Sequence, residues 1–277
     1  MKTIRKLAAG LAAALLLVSL SACTAQEGAS GDASGAALKV IKIGASPAPH
    51  AEILEQADAL LAAKGYKLDI QEFTDYIIPN NALESGELDA NFFQHLPYLE
   101  KFNKENGTHL VSVAKIHFEP LGIYAGKIDN LSNVADEAEI AVPNDPTNEA
   151  RALLLLEAQG LIKLKDGVGL EATINDITEN SHKLKIRELE AALLPNTLPD
   201  LAFAVINGNY AMEAKITDKL IAAEDKDSTG SQYPNVIAVK EGHENDPGIQ
   251  ALVEVMTSDA IRSYILEHCG GTAVPVF

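Results

Sequence analysis

Residues 38–70 have the sequence LKVIKIGASPAPHAEILEQADALLAAKGYKLDI, in which two strand-like runs flank a helix-like run. The first run, 38–43, ends at a Gly-Ala-Ser-Pro turn. Apolar residues then recur at helical spacing between Ile53 and Leu61, and Gly65 ends that pattern. Residues 66–70 alternate in polarity, as a second strand does. This strand–helix–strand unit predicts an α/β fold.

The same alternation continues along the rest of the chain. Further strands are predicted near 89–93, 110–114, 121–125, 140–142, 184–189, 201–206 and 235–239. Helices are predicted near 80–85, from Pro97 onward, over 146–159, and twice between 247 and 267. Two clusters of such units predict two α/β lobes whose sheets are mainly parallel.

The start of the chain has the pattern of a secreted, membrane-tethered protein. A basic head precedes an apolar run at 7–20, which is too short to cross a bilayer as a mature helix. The sequence LSAC at 20–23 resembles the lipobox of bacterial lipoproteins, in which the cysteine is acylated. We expect a signal peptide at 1–22, lipidation of Cys23, and a flexible tether at 23–37 that is too polar to repay the cost of ordering.

Composition excludes several classes of partner. The formal net charge is −17, which argues against a nucleic-acid surface and against broad adhesion to anionic lipid. The chain has two cysteines, so lipidation of Cys23 would leave Cys269 without a partner and exclude a disulfide framework. We expect Cys269 to be a partly buried residue without a chemical role.

The sequence VPNDPTNEAR at 142–151 predicts a strand end followed by a capped helix. Asp145 suits the N-cap and Pro146 the first helical position. Free N–H groups at a helix start favour an anion, and the fork of Arg151 suits a carboxylate. Asn148 lies three residues before Arg151 and shares its face. An anion site and a well-capped surface helix are both open at this point.

Aromatic residues concentrate between 73 and 98. The chain has only 7 Phe and 7 Tyr, yet Phe73, Tyr76, Phe93 and Tyr98 all lie in this interval, with His95 among them. Such a cluster either walls a pocket for an apolar or thioether side chain or forms part of the core.

A third polar element is Asn207, which closes the strand-like run 204–206 and precedes a glycine. An asparagine offers donors and an acceptor, so it suits either a zwitterion or a simple turn. The sequence contains no convincing pair of nucleophile and base, and its histidines lack the spacing of a metal site. We therefore expect no catalytic residues, no metal and no cofactor.

Several segments together resemble one family closely. They are 75–80, 88–98, 142–148 with Arg151, 160–167, 188–191 and 204–207, in that order along the chain. The family is that of the methionine-binding lipoproteins of bacterial ABC importers, the NlpA-type substrate-binding proteins. The resemblance covers nearly all of 38–277. The segment IHFEP at 116–120 departs from the usual pattern, and its His117 or Glu119 could adjust the pocket.

The resemblance implies a two-lobed periplasmic-binding-protein fold with a ligand cleft between the lobes. It implies chain crossovers near 120–124 and 233–239. It also places lobe I at 38–122 and 235–277, and lobe II at 123–234.

The resemblance also implies the residues that bind the ligand. Arg151 would hold the ligand carboxylate, and Asn148 and Asn207 would contact the amino-acid head group. The aromatic-and-His wall for the thioether would consist of Tyr76, Phe93, His95 and Tyr98.

The function that follows is a non-catalytic one: a monomeric protein, lipid-anchored to the outer side of the cell membrane, binds L-methionine and delivers it to an ABC permease with its ATPase subunits. D-methionine, a methionine-containing dipeptide or another apolar amino acid is the alternative ligand. An extracytoplasmic hydrolase that uses His95, and a metal-binding lipoprotein, remain as alternatives of other classes.

Overall fold

The computed structural model describes residues 37–225, 227 and 232–277. The predicted signal peptide, Cys23 and almost all of the predicted tether lie outside these residues. The first described unit is a strand, a helix and a second strand: β1 (Lys39–Ala45), α1 (Glu52–Ala62) and β2 (Tyr66–Glu72). β1 and β2 pair in parallel, as the strand–helix–strand pattern predicts.

The described residues form a first sheet of six strands, in the order β13–β4–β12–β3–β1–β2. Its remaining strands are β3 (Ala90–His95), β4 (Leu110–Phe118), β12 (Pro234–Lys240) and β13 (Val274–Pro275). The helices associated with this part of the chain are α2 (Ile78–Ser85), α3 (Leu96–Asn106), α7 (Pro247–Met256) and α8 (Asp259–His268). α1 packs against both α7 and α8 over an aliphatic core, so one face of the sheet is covered.

A second sheet has five strands within the described residues, in the order β11–β5–β10–β6–β9. These strands are β5 (Gly122–Ala125), β6 (Glu139–Pro143), β9 (Lys185–Leu189), β10 (Phe203–Ile206) and β11 (Leu220–Ala223). The helices of this part are α4 (Pro146–Ala158), α5 (Leu194–Thr197) and α6 (Gly208–Glu213). A separate small hairpin pairs β7 (Lys163–Leu164) with β8 (Ile177–Glu179).

The prediction of mainly parallel sheets is wrong, because both sheets are mixed. β12 is antiparallel to β3 and β4, and β5 is antiparallel to β10 and β11. β5 and β12 are the strands that arrive from the other sheet, so no helical crossover within their own sheet sets their direction. Strands joined by helices within one sheet do run parallel, as β1, β2 and β3 show.

The chain passes between the two sheets twice. It leaves the first sheet after Phe118 and enters the second at Gly122, and it returns between Ala223 and Pro234. The first passage overlaps the crossover expected at 120–124, whereas the second ends where the one expected at 233–239 begins, since 234–239 already belong to β12. Both passages bring chain segments to the region where the strands β3, β6 and β10 end.

Among the described residues, no helix combines the length and the apolar character that crossing a membrane requires.

Candidate functional site

A cavity lies where β3, β6 and β10 end and where the chain first passes between the sheets. About 340 Å³ inside it, including its opening to solvent, is free of protein atoms. All seven predicted ligand-binding residues line it: Tyr76, Phe93, His95, Tyr98, Asn148, Arg151 and Asn207. Their role as ligand contacts stays a prediction, but the structure does bring them together.

Sequence reasoning missed five further lining residues, namely Gln94, Glu119, Gly208, Asn209 and Asn235. Asn209 comes two residues after a predicted site residue, so its position gave a usable signal. Glu119 was noted as part of a departure from the family pattern that could adjust the pocket, but not as a ligand-binding residue. No local pattern marks Asn235, which comes from the distant strand β12.

Three donors converge on the amide oxygen of Asn148. His95 Nε2 lies 3.1 Å from it, Asn207 Nδ2 lies 2.9 Å from it, and Arg151 Nη1 lies 3.3 Å from it. The Asn148 amide nitrogen donates to both carboxylate oxygens of Asp145 at 3.0 Å. That bond fixes the Asn148 amide with its oxygen toward the three donors, so each of them must present an N–H.

The protonation state of His95 follows from the same network. Its Nδ1 accepts the backbone N–H of Tyr98 at 3.1 Å, so the ring proton is on Nε2, which donates to Asn148. Burial and the nearby charge of Arg151 lower the pKa of His95 to about 3. His95 is therefore a neutral imidazole at physiological pH and a fixed part of the cavity wall.

Arg151 is held by an internal carboxylate. Its Nε and Nη2 donate to the two oxygens of Glu224 at 3.0 and 2.5 Å, and Nη2 also donates to the Glu119 carbonyl oxygen at 3.0 Å. Its guanidinium carbon lies 4.3 Å from the ring centroid of Tyr233. Burial alone would lower the pKa of Arg151, but Glu224 outweighs burial and raises it. The two-pronged edge that was expected to grip a ligand carboxylate is thus bound to Glu224, and Nη1 is the nitrogen left toward Asn148.

The start of α4 is capped as predicted. The Asp145 side chain accepts the backbone N–H of Asn148 at 3.0 Å, and Pro146 follows in the first turn. This N–H therefore donates to the protein's own carboxylate, so it is not available for a ligand anion.

Two buried polar atoms of the cavity have no hydrogen-bond partner among the described residues: Asn207 Oδ1 and Asn209 Nδ2. The orientation of Asn207 is set, because its nitrogen must donate to Asn148. The oxygen of Asn209 accepts the hydroxyl of Tyr76 at 2.6 Å, which leaves its nitrogen as the unpaired atom. The cavity therefore offers one unmet acceptor and one unmet donor, and unmet buried groups are costly unless something binds them.

Three rings form the apolar side of the cavity. The centroid of Tyr76 lies 5.9 Å from that of Phe93 and 5.7 Å from that of Tyr98, in tilted and edge-on arrangements. The hydroxyl of Tyr98 donates to the Tyr76 carbonyl oxygen at 2.9 Å, which fixes this corner. Such a wall suits an aliphatic or thioether group.

One cluster within the described part of the chain is compact enough to be considered for a metal ion: His50, His117 and Glu119. His117 Nε2 lies 2.7 Å from Glu119 Oε1, which is a hydrogen-bond distance. Two donor atoms on one tetrahedral zinc ion are about 3.3 Å apart. The Nδ1 atoms of both histidines lack the partner that normally orients a metal-bound imidazole. The cluster fits a hydrogen-bonded network better than a metal centre.

A larger depression of about 980 Å³ lies where β1 begins and includes Lys39, Tyr66 and Lys240. None of the unpartnered buried atoms of the described residues belongs to it. The smaller cavity is the candidate site, because it joins two unmet polar side-chain atoms to an apolar wall and brings together the residues predicted from the sequence.

The profile of the NlpA lipoprotein family matches residues 41–277. The chain belongs to the NlpA lipoprotein family. The resemblance seen in the sequence is thereby confirmed. A D-methionine-binding lipoprotein, MetQ of Salmonella typhimurium, is 44% identical over 240 residues, covering 84% of this chain and 87% of the relative.

Solved structures of similar proteins share the fold. A putative lipoprotein from Ruminococcus gnavus is 51% identical with a TM-score of 0.84, covering 86% of this chain and 100% of that one. A nutrient-binding protein from Burkholderia cenocepacia, solved bound to methionine, is 42% identical with a TM-score of 0.81 and the same coverage. The predicted two-lobed α/β binding-protein fold is confirmed.

Proposed function

We propose that this NlpA-family chain is the substrate-binding protein of an ABC importer and that its cavity binds methionine as a zwitterion. The observation that carries the proposal is the pair of unmet groups, Asn207 Oδ1 and Asn209 Nδ2, in the cavity that the rings of Tyr76, Phe93 and Tyr98 also line. An acceptor suits an ammonium group, a donor suits a carboxylate, and the rings suit a thioether. The names of the relatives support the same ligand.

The ligand carboxylate accepts hydrogen bonds from Arg151 Nη1 and Asn209 Nδ2. It does not form a bidentate pair with the Nε–Nη2 edge of Arg151, because Glu224 binds that edge. Asn148 positions Asn207, His95 and Arg151 around the ligand. None of the described residues that line the cavity is an activated nucleophile, and we propose binding without catalysis.

We further propose lobe I at 38–122 and 235–277 and lobe II at 123–234, with closure about the two chain passages when ligand enters. A lipid at Cys23 would tether a monomer to the outer side of the membrane, close to the permease and its ATPase subunits, and so raise its effective concentration there.

Mass spectrometry of small molecules released from the denatured protein tests the ligand first, because a closed cavity can retain it through purification. Calorimetric titration of refolded, ligand-free protein with L-methionine, D-methionine, a methionine dipeptide and L-leucine then ranks the candidates. We expect L-methionine to bind one site per chain most tightly. If neither L-methionine nor D-methionine binds, the proposed ligand is wrong.

A further inference from the structure

Glu119 places a buried carboxylate at the edge of the cavity. It directly follows β4, in the segment where the chain first passes between the sheets, and only 7% of the residue is exposed. Together with Gly208 and Asn209 it lines the cavity. Carboxylates are seldom buried without a partner or a function, so its surroundings decide its role.

Three contacts hold the carboxylate in place. Oε1 lies 2.7 Å from His117 Nε2 and 3.4 Å from His50 Nε2. Oε2 accepts the backbone N–H of Asn209 at 3.0 Å. A carboxylate has about four acceptor positions, so one position on Oε2 is left.

Gly208 keeps the Oε2 side of the carboxylate clear. A Cβ at position 208 would lie 3.3 Å from Oε2, which is tighter than nearly all real contacts of that kind. The absence of a side chain at 208 therefore leaves space beside the oxygen that still has acceptor capacity.

No cation of the cavity neutralises Glu119 directly. Arg151 pairs with the Glu224 carboxylate and contacts only the backbone oxygen of Glu119. Burial lowers the pKa of His50 to about 4, so that imidazole is neutral at pH 7. Burial would raise the pKa of Glu119, but His50, His117 and the Asn209 N–H outweigh it and lower the pKa. Glu119 is thus an ionised group for which the described residues provide no arginine or lysine partner.

We propose that Glu119, positioned by His50 and His117, is the anionic anchor for the ligand's ammonium group, with Asn207 Oδ1 as the second acceptor. This inference rests on the proposed function and adds the substrate class: the site takes amino acids with a free, protonated α-amino group. It excludes N-acylated and des-amino analogues, because each would leave a buried carboxylate unmatched.

The test crosses two ligands with two proteins. Calorimetry compares L-methionine with 4-(methylthio)butanoic acid, which lacks only the amino group, on the wild type and on Glu119→Gln. We expect the wild type to bind the des-amino analogue at least 100-fold more weakly than L-methionine. Glu119→Gln should lose at least tenfold affinity for L-methionine and keep its affinity for the analogue. Glu241→Gln, at an exposed glutamate, is the control and should bind as the wild type does.

If Glu119→Gln lowers the affinity for both ligands equally, Glu119 has a merely structural role and the proposed anchor is overturned. Equal affinity of the wild type for both ligands would also overturn it. If Glu119→Gln does not fold, Glu119→Asp is the second variant. It keeps the charge but holds it one methylene farther from the ligand, so it should also weaken the binding of L-methionine selectively. If the wild type, after treatment with a chelator, binds zinc tightly and either variant abolishes that binding, the cluster of His50, His117 and Glu119 is a metal site instead. A wild type that binds no methionine at all would refute the proposed function itself.

Discussion

Asn148 determines the hydrogen-bond directions of the whole polar side of the cavity. Asp145 fixes its amide, and the amide in turn requires an N–H from His95, Asn207 and Arg151. The unmet oxygen of Asn207 is a direct consequence of this order. One side chain in the first turn of a helix thus sets what the cavity can recognise.

Replacing Asn148 by alanine removes the shared acceptor and leaves buried N–H groups of three residues without it. We expect Asn148→Ala to lower the free energy of unfolding by about 3 kcal/mol and to abolish methionine binding. Urea unfolding and calorimetry measure the two effects. Asn144→Ala, at an exposed asparagine just before the same helix, is the control and should change neither. Wild-type affinity in Asn148→Ala would show that the network does not organise the site.

His95 should make stability depend on pH. Its pKa is about 3 in the folded protein and about 6.5 when unfolded, so the unfolded state binds more protons between these values. The stabilisation from the neutral ring is present above pH 6.5 and is lost as the pH falls. Between pH 7 and pH 5 its share of the loss is about 2 kcal/mol.

Urea unfolding of ligand-free wild type and His95→Gln at pH 7 and pH 5 measures this share as the difference between their pH slopes. The variant should have the shallower slope, since glutamine does not titrate here. Asn144→Ala, at an exposed asparagine that does not titrate, is the control and should retain the wild-type slope. Equal slopes in the wild type and His95→Gln would contradict a buried neutral imidazole.

Glu224 connects the two segments that pass between the sheets. It lies just after β11, binds Arg151 of α4, and accepts the backbone N–H of Leu121 in the other passage at 2.8 Å. Both members of the ion pair are buried, with side chains 3% and 5% exposed. This carboxylate therefore fixes a helix and both passages relative to one another.

Neutralising Glu224 should destabilise the folded protein, because it leaves the buried guanidinium of Arg151 without a counter-charge. We expect Glu224→Gln to lower the free energy of unfolding by about 3 kcal/mol, measured by urea unfolding at pH 7.5. Glu241→Gln is the exposed control. A loss below about 0.5 kcal/mol would mean that water or another group compensates Arg151.

The local signals in the sequence predicted most elements well. Asp145 with Pro146 marked the start of α4, and Pro97 marked α3, because capping and the first turn depend on neighbours in the chain. The antiparallel directions of β5 and β12 were not predictable in this way. Their partners lie far away in sequence, and helical spacing carries no information about strands that arrive from another sheet.

The residues of the candidate site also fall into two groups: those that a local sequence signal predicts, and those whose partners are distant in sequence. Residues that share a motif, such as Asn148 and Arg151, were found because one helix presents them together. The Glu224 partner of Arg151 lies 73 positions away and has no local pattern. The pairing of Arg151 with Glu224 was not predictable for that reason, although Arg151 itself was expected at the cavity and lines it.

Binding of methionine should stabilise the molecule as a whole, because residues next to strands of both sheets line the cavity. At a concentration of 100 times Kd, linkage gives about 2.7 kcal/mol. For a domain of this size the midpoint of thermal unfolding should rise by about 5–10 °C. Differential scanning calorimetry of refolded protein, with L-leucine as the comparison ligand, measures the shift. An identical shift with both amino acids would contradict recognition of the thioether.

The most direct test of the account is a crystal structure of the ligand-free protein soaked with L-selenomethionine. The protein contains 3 methionines with ordinary sulfur, so an anomalous selenium peak identifies the ligand atom without ambiguity. The account predicts one peak per chain among the rings of Tyr76, Phe93 and Tyr98, with the amino-acid head toward Asn207 and Arg151. A peak beside Arg151, or none in the cavity, would contradict it.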